Sequence, residues 1–264
     1  MELIAVIILG IVQGITEFLP ISSSGHLILA RELLGMEAQN GLAFDAVLQL
    51  ATGLAVVAYF WRDLVRLFKS AVSYVSGKGI DATDRTLIVA IILGTIPAVI
   101  AGLLLETKME TVFRSASLVA LMLIAGSVVM AGGELVAARY ARGPLTIKKG
   151  VGIGLFQCLA LIPGFSRSGA TISGGLLLGL TRENAARFGF LLSVPIILGS
   201  GLKKLFELET GNSIGLPLVA GSLVAFIVGL SAIHFLMRYL KTRTLWVFMW
   251  YRLALAAVVL LLVF

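Results

Sequence analysis

Two short polar stretches interrupt an otherwise apolar chain: QGITEFLPISSSGH from Gln13 to His26 and PGFSRSGAT from Pro163 to Thr171. Polar side chains at membrane depth are costly and usually functional. In the first stretch Gln13 and Glu17 are four apart, so on a helix they share one face. A carboxylate among Ile, Phe and Leu has its ionised form disfavoured by desolvation, and a nearby arginine or bound cation opposes that shift. Ser22, Ser23, Ser24 and Gly25 follow Pro20, where a second half-helix should begin. Serine is a favoured N-cap, and the free N–H groups of a helix N-terminus bind phosphate readily. Three consecutive serines exceed what capping needs. One of them is a candidate nucleophile, since a serine hydroxyl next to a base can attack phosphorus. The base is His26 or Glu17, and the sequence does not choose between them.

The second stretch supplies the complementary chemistry. Arg167 is the only charge between Lys149 and Arg182. Its guanidinium is a planar fork that suits phosphate oxygens, and Ser166, Ser168, Gly169 and Thr171 add hydroxyls and a close backbone approach. The expectation is that the two stretches meet and bind a phosphorylated lipid. There is no P-loop and no HExxH, and two histidines do not make an imidazole-rich metal site. His234, inside an apolar span, reads as structural, and the single Cys158 as a small helical residue.

Both stretches need a membrane scaffold. The chain has 264 residues, of which 59% are hydrophobic and only 13% charged, with a mean hydropathy of +1.03. That is far too apolar for a soluble domain and predicts an all-α polytopic membrane protein with several windows near the roughly 20 residues a bilayer requires. The net charge of +7 sits in short loops between hydrophobic runs, a pattern that suits anionic membrane lipids and argues against nucleic acid. The N-terminus lacks the basic region and cleavage site of a signal peptide. Residues 3–19, stopped by Pro20, and a short helix running to about Leu34 read as a re-entrant hairpin, and 150–180 as a second. Full spans are predicted near 43–61, 87–105, 115–137, 186–202, 216–237 and 245–264. Gly94 with Pro97, and Pro195 with Gly199, are expected to kink or closely pack their helices.

Sliding the sequence on itself by 144 residues aligns Gly10 with Gly154, Gln13 with Gln157, Ser22 with Ser166, Ser24-Gly25 with Ser168-Gly169 and Ile28 with Ile172. At the same offset Gly35 meets Gly179, Asn40 meets Asn184, Phe44 meets Phe188, and Ser23 meets Arg167. Residues 1–138 and 146–264 thus read as two repeats within one membrane domain (1–264). The 62–69, 139–149 and 238–243 loops are basic, whereas 106–114 and 203–209 balance Lys and Arg with Glu. By the positive-inside rule the first group is cytoplasmic and the second external. The repeats then have inverted topology, each a re-entrant hairpin plus three spans, an arrangement that places broken helices around a shared midplane site.

At these residues the chain resembles the undecaprenyl-pyrophosphate phosphatase family of the bacitracin-resistance type. The first family motif, Glu or Gln, three residues, Glu, then a serine-rich Gly-His turn, is matched by Gln13, Glu17 and SSSGH at 22–26. The second, Pro-Gly-x-Ser-Arg-Ser-x-x-Thr, is matched in full by Pro163 to Thr171. The resemblance implies dephosphorylation of a C55 polyprenyl pyrophosphate at the outer face of the cell membrane, recycling the carrier for cell-wall synthesis. It implies a nucleophilic serine at Ser23, with Glu17 and His26 as acid/base partners and Arg167 holding the phosphates. A histidine nucleophile has also been considered for the family, which keeps His26 open in that role. A divalent cation, magnesium or calcium, is implied as well, with Glu17 its candidate ligand. Gln13 stands where better-known members have an acid and weakens the case for two carboxylate ligands. The other lipid-phosphatase superfamily needs a second histidine after its Ser-Arg, where this chain has Gly, Ala and Thr. A rival of a different class is a transporter or flippase of a phosphorylated lipid, since inverted repeats with broken helices are also a transporter architecture. A homodimer is a further expectation that the sequence leaves open.

Overall fold

The computed structural model describes residues 3–35, 41–111, 115–140, 143–207 and 215–263, and the regular structure among them is helical. Helices α1 (Leu3–Thr16) and α2 (Ser23–Leu33) flank the first polar turn. Then come α3 (Gly41–Tyr59), α4 (Trp61–Val75), α5 (Ala82–Thr111) and α6 (Ala116–Arg139). Helix α7 (Ile147–Cys158), a 3-10 turn (Leu159–Leu161) and α8 (Arg167–Leu177) flank the second polar turn, followed by α9 (Arg182–Glu207), α10 (Leu216–Thr242) and α11 (Trp246–Val263). Among the described residues four stretches are long and apolar enough to cross a bilayer: Ala82–Leu105, Ala116–Arg139, Arg182–Lys203 and Leu216–Thr242. A fifth candidate, α3 with α4, is bent by 74°. Helix α11 is apolar but shorter. The chain is a multi-pass α-helical membrane protein.

Several expectations change in detail. Residues 62–69 are not a loop but most of α4, because Trp61, Val65, Phe68 and Val72 recur at helical spacing while the basic residues share another face. Pro97 and Pro195 do lie inside helices. Gly94 packs closely, its missing Cβ standing 2.8 Å from the carbonyl oxygen of Gly150, whereas Gly199 has no neighbour within 4 Å and faces open space. Asn40, Arg142 and parts of the 106–114 and 203–209 segments fall outside the described residues.

The two short helices α1 and α7 are each too brief to be stable alone and gain their order from a long neighbour. Helix α1 lies along α10 and α7 along α5. A Cβ on Gly10 would stand 2.5 Å from the carbonyl oxygen of Gly221, and one on Gly154 would strike the carbonyl of Gly94. Only glycine allows this approach of two backbones. A turn away, Gly14 abuts Ala225 and Gly150 abuts Ala90. The register advances together in each pair, so each short helix runs parallel to its long partner. Both chains are thereby carried into the interior, where Phe18 meets Phe190 edge-on at 5.8 Å and Phe190 meets Phe60 at 6.0 Å.

Candidate active site

The site is built at two helix breaks. Beyond α1 the helical bonds run on briefly, Glu17 N donating to Gln13 O at 2.9 Å and Leu19 N to Ile15 O at 3.2 Å. Pro20 then stops the helix, having no N–H to continue the pattern. Ser22 follows with φ 76° and ψ 99°, and its Oγ accepts from Gly25 N at 3.4 Å to cap α2. The second break repeats this: Ser166 has φ 76° and ψ 120°, and its Oγ accepts from Gly169 N at 3.2 Å to cap α8. Among the described residues these two serines are the only non-glycine positions with positive φ. That conformation is uncommon for side-chain-bearing residues, and such strain clusters at functional sites.

The two turns touch. Gly164 N donates to Ser24 Oγ at 3.4 Å, and Ser168 Oγ donates to the carbonyl of Leu19 at 3.1 Å. Within each turn the paired hydroxyls are also close, Ser22 to Ser24 at 3.3 Å and Ser166 to Ser168 at 3.2 Å. Thr171 donates back to the carbonyl of Arg167 at 3.0 Å and so tightens the first turn of α8.

At the junction lies Glu17, 6% exposed. Its Oε1 is ion-paired with Nη2 of Arg167. Its Oε2 accepts from Ser23 Oγ at 2.7 Å and from Gln13 Nε2 at 3.0 Å. Gln13 is oriented in turn by Thr52 of α3, 3.3 Å away. The two groups that the sequence left open as a base are placed differently: Glu17 lies within hydrogen-bond reach of Ser23. His26 is held elsewhere, with Nδ1 2.7 Å from the carbonyl of Ser22 and Nε2 2.7 Å from the hydroxyl of Tyr251. A carbonyl can only accept, so Nδ1 carries a proton, and a neutral His26 takes the Tyr251 proton at Nε2. Ser23, His26 and Arg167 are half-buried and Ser24 is exposed, so the serine turn keeps an open side.

The donor set for a metal is thin. Among the described residues no three His, Cys, Asp or Glu side chains come together. Glu17 is the one carboxylate, and beside it Gln13 Oε1 is a buried acceptor without a hydrogen-bond partner. Magnesium commonly binds through one or two carboxylates and completes its shell with water and substrate phosphates. Glu17 and Gln13 fit a cation of that kind, and do not by themselves make a closed cage.

Three residues essential to this geometry do not stand out in the sequence. Arg252 of α11 is fully buried, and its guanidinium meets backbone carbonyls instead of a carboxylate. It donates to Pro20 O (3.3 Å) at the first break, to Phe165 O (2.9 Å) and Gly164 O (3.1 Å) at the second, and to Met122 and Leu123 on α6. One cation thus ties both breaks to the scaffold. Its neighbour Tyr251 fixes His26. Glu134 of α6, 2% exposed, binds Arg182 through both oxygens and accepts from Leu245 N at 2.8 Å, joining α6, α9 and the start of α11. A lone charge within an apolar run was the available signal in each ionic case. Behind the Glu17–Arg167 pair, toward α9, a cavity of about 10 Å³ is lined by Thr171, Gly189, Phe190 and Ser193, with room for about one water.

The family model described as "Bacitracin resistance protein BacA" matches residues 6–258. The chain is 43% identical over 270 residues to an undecaprenyl-diphosphatase of Renibacterium salmoninarum, covering 98% of this chain and 95% of that one. It is 44% identical over 258 residues to an undecaprenyl-diphosphatase of Pelobacter propionicus, covering 96% and 94%. Another of that name, from Geotalea daltonii, is 44% identical over 265 residues, covering 98% of each.

Proposed function

Because the chain belongs to the bacitracin resistance protein BacA family, we propose that it is an undecaprenyl-diphosphatase: a membrane phosphatase that hydrolyses undecaprenyl pyrophosphate to the monophosphate and inorganic phosphate. This activity recycles the lipid carrier for peptidoglycan and envelope synthesis and gives bacitracin resistance. The observation that carries the mechanism is the single carboxylate of Glu17 shared by Ser23 on one oxygen and Arg167 on the other.

The arriving diphosphate competes with Glu17 for Arg167, whose fork suits two phosphate oxygens. Ser23 Oγ attacks the terminal phosphorus while its proton passes to Glu17 Oε2. The bridging P–O bond breaks, and the lipid monophosphate leaves with the electron pair. Water then cleaves the phosphoserine, releasing phosphate and restoring the Ser23 hydroxyl. Arg167 and the first-turn N–H groups of α2 and α8 neutralise charge on the transferring phosphoryl group. His26, aligned by Tyr251, serves as the acid/base partner at the edge of the site, and Ser22, Ser24, Gly25, Ser166, Ser168, Gly169 and Thr171 shape the phosphate cradle. A divalent cation, magnesium or calcium, would be held by Glu17 and Gln13 with the substrate's own oxygens, and would supply neutralisation of the diphosphate charge.

The scaffold of this reading is a pair of inverted repeats, residues 1–138 and 146–264, whose α1–α2 and α7–α8 pairs are re-entrant hairpins. Supporting it are the matched serine φ values, the matched caps, and the parallel packing of α1 on α10 and α7 on α5. The protein then lies in the cell membrane with the serine turn open to the outer face.

The test is phosphate release from undecaprenyl pyrophosphate by purified protein in detergent, where no transport can be scored. Wild type is expected to be active, with Ser23→Ala and Arg167→Ala inactive. Full activity in Ser23→Ala would remove Ser23 as the nucleophile. A wild type silent in detergent that moves lipid phosphate across vesicles would make the chain a transporter instead.

A further inference from the structure

Helix α4 is not used by the catalytic arrangement. It leaves α3 at 74° and carries three distinct faces. One, with Leu67 buried and Leu64 and Ala71 half-buried, packs on the protein. A second is a stripe of exposed large apolar residues at helical spacing: Trp61, Val65, Phe68, Val72 and Val75, of which Phe68 is 70% and Val75 87% exposed. Beside that stripe, Arg62, Arg66 and Lys69 form a basic flank.

Among the described residues the acids nearby engage Arg66 and make no ion pair with Arg62 or Lys69, although Asp81 also borders the cleft. Asp63 is engaged by Arg187 at 2.5 Å, and Asp84 accepts from Ser70 at 2.7 Å. Asp81 caps the start of α5, accepting from Thr83 N at 2.8 Å. Arg66 is shared with Asp63 and Asp84 at 3.4 and 3.6 Å, whereas Arg62 lies over the Trp61 ring at 5.5 Å. Between α4 and the turn at Gly79–Asp81 runs a cleft of about 510 Å³, lined on the α4 side by Arg62, Arg66, Lys69, Ser70 and Ser73.

A helix with an apolar stripe beside a row of cations, turned steeply from a preceding span, suits the membrane–water interface. We propose that α4 is an anionic-phospholipid docking surface of the cytoplasmic leaflet. The Trp61–Val75 stripe sinks below the headgroups, and Arg62, Lys69 and the hydroxyl of Ser73 take a lipid phosphate in the cleft. This inference rests on the multi-pass membrane fold and the basic-loop orientation, not on the phosphatase reading, and its readouts involve no catalysis.

The full chain carrying Cys158→Ala and Phe68→Cys would be spin-labelled and placed in nanodiscs of phosphatidylcholine with phosphatidylglycerol. The label is expected to be reached by oxygen and shielded from a water-soluble nickel chelate. Native mass spectrometry of the wild type from mixed lipid should show preferential retention of phosphatidylglycerol. Arg62→Gln and Lys69→Gln should each lower that preference about fivefold, the scale of one basic residue near an anionic surface. A label open to the nickel chelate would place α4 in water and overturn the proposal. A label shielded from both reagents would mean that protein, such as a second copy, covers the stripe, and would equally overturn it. So would an unchanged phosphatidylglycerol preference in the Arg62→Gln, Lys69→Gln double variant.

Discussion

Ser22 and Ser166 hold the same backbone φ of 76°, and each closes the same cap onto a glycine N–H three residues on. Loss of a serine cap costs about 0.5–2 kcal/mol, while a side chain held at such a φ costs about 1–3 kcal/mol. The two effects separate by substitution. Ser166→Ala keeps the strain and loses the cap, so its thermal midpoint in detergent should fall. Ser166→Gly loses the cap but relieves the strain, and should stay nearer to wild type. An alanine variant more stable than the glycine variant would refute the strained-cap account.

Glu17→Gln should separate charge from shape. The amide oxygen can still accept from Ser23, but it takes no proton and does not balance Arg167. Phosphate release should drop by about 10²–10⁴, the usual scale for removing a general base. Stability should also fall, since the half-buried Arg167 loses its counter-charge. Adding Arg167→Gln should return part of that stability and none of the activity, a coupling that a double-mutant cycle in thermal unfolding would quantify.

Arg167→Lys keeps the positive charge and gives up the planar fork. Activity is expected to fall at least about tenfold, because a point charge does not span two phosphate oxygens. The thermal midpoint should change less than in Arg167→Ala. Steady-state turnover near wild type would exclude a bidentate clamp.

For Arg252 the expected loss is structural first. Arg252→Met would leave the carbonyls of Pro20, Gly164 and Phe165 short of a donor, each buried group costing about 1–3 kcal/mol, whereas Met122 and Leu123 lie within α6 and Leu123 keeps its bond from Ser127. The thermal midpoint should fall further than in Ser166→Ala. Arg252→Lys should not rescue it, having three donors for a network that spreads over five carbonyls.

Tyr251→Phe removes the partner of His26 Nε2 and nothing else from the site. Turnover should fall several-fold with little change in KM, on the scale of about 1 kcal/mol for one hydrogen bond. Unaltered turnover would leave His26 without a role that depends on its orientation.

The polar turns, the broken helices and the cluster of Gln13, Glu17, Ser23 and Arg167 were legible in sequence, because polar residues inside apolar runs are too costly to persist without a use. The placement of Glu17 beside Ser23 and of His26 beside Tyr251 was not, since both lie near Ser23 along the chain and only the fold turns His26 toward Tyr251. Arg252 was hidden for a different reason. As a lone charge in an apolar run it could have been singled out, but an arginine satisfied wholly by backbone carbonyls has no acidic partner or motif to say what it holds. Helix α4 was masked by its own charges: Arg62, Arg66 and Lys69 together look like a basic loop, and they obscure the helical period of Trp61, Val65 and Phe68.

Beside Glu17, Phe18 and Phe190 border a space of about 10 Å³, room for roughly one water. Arg252 makes the two turns mechanically one. Its guanidinium holds the carbonyl of Pro20 at the first break and those of Gly164 and Phe165 at the second, so a displacement of either turn is felt at the other through a single side chain.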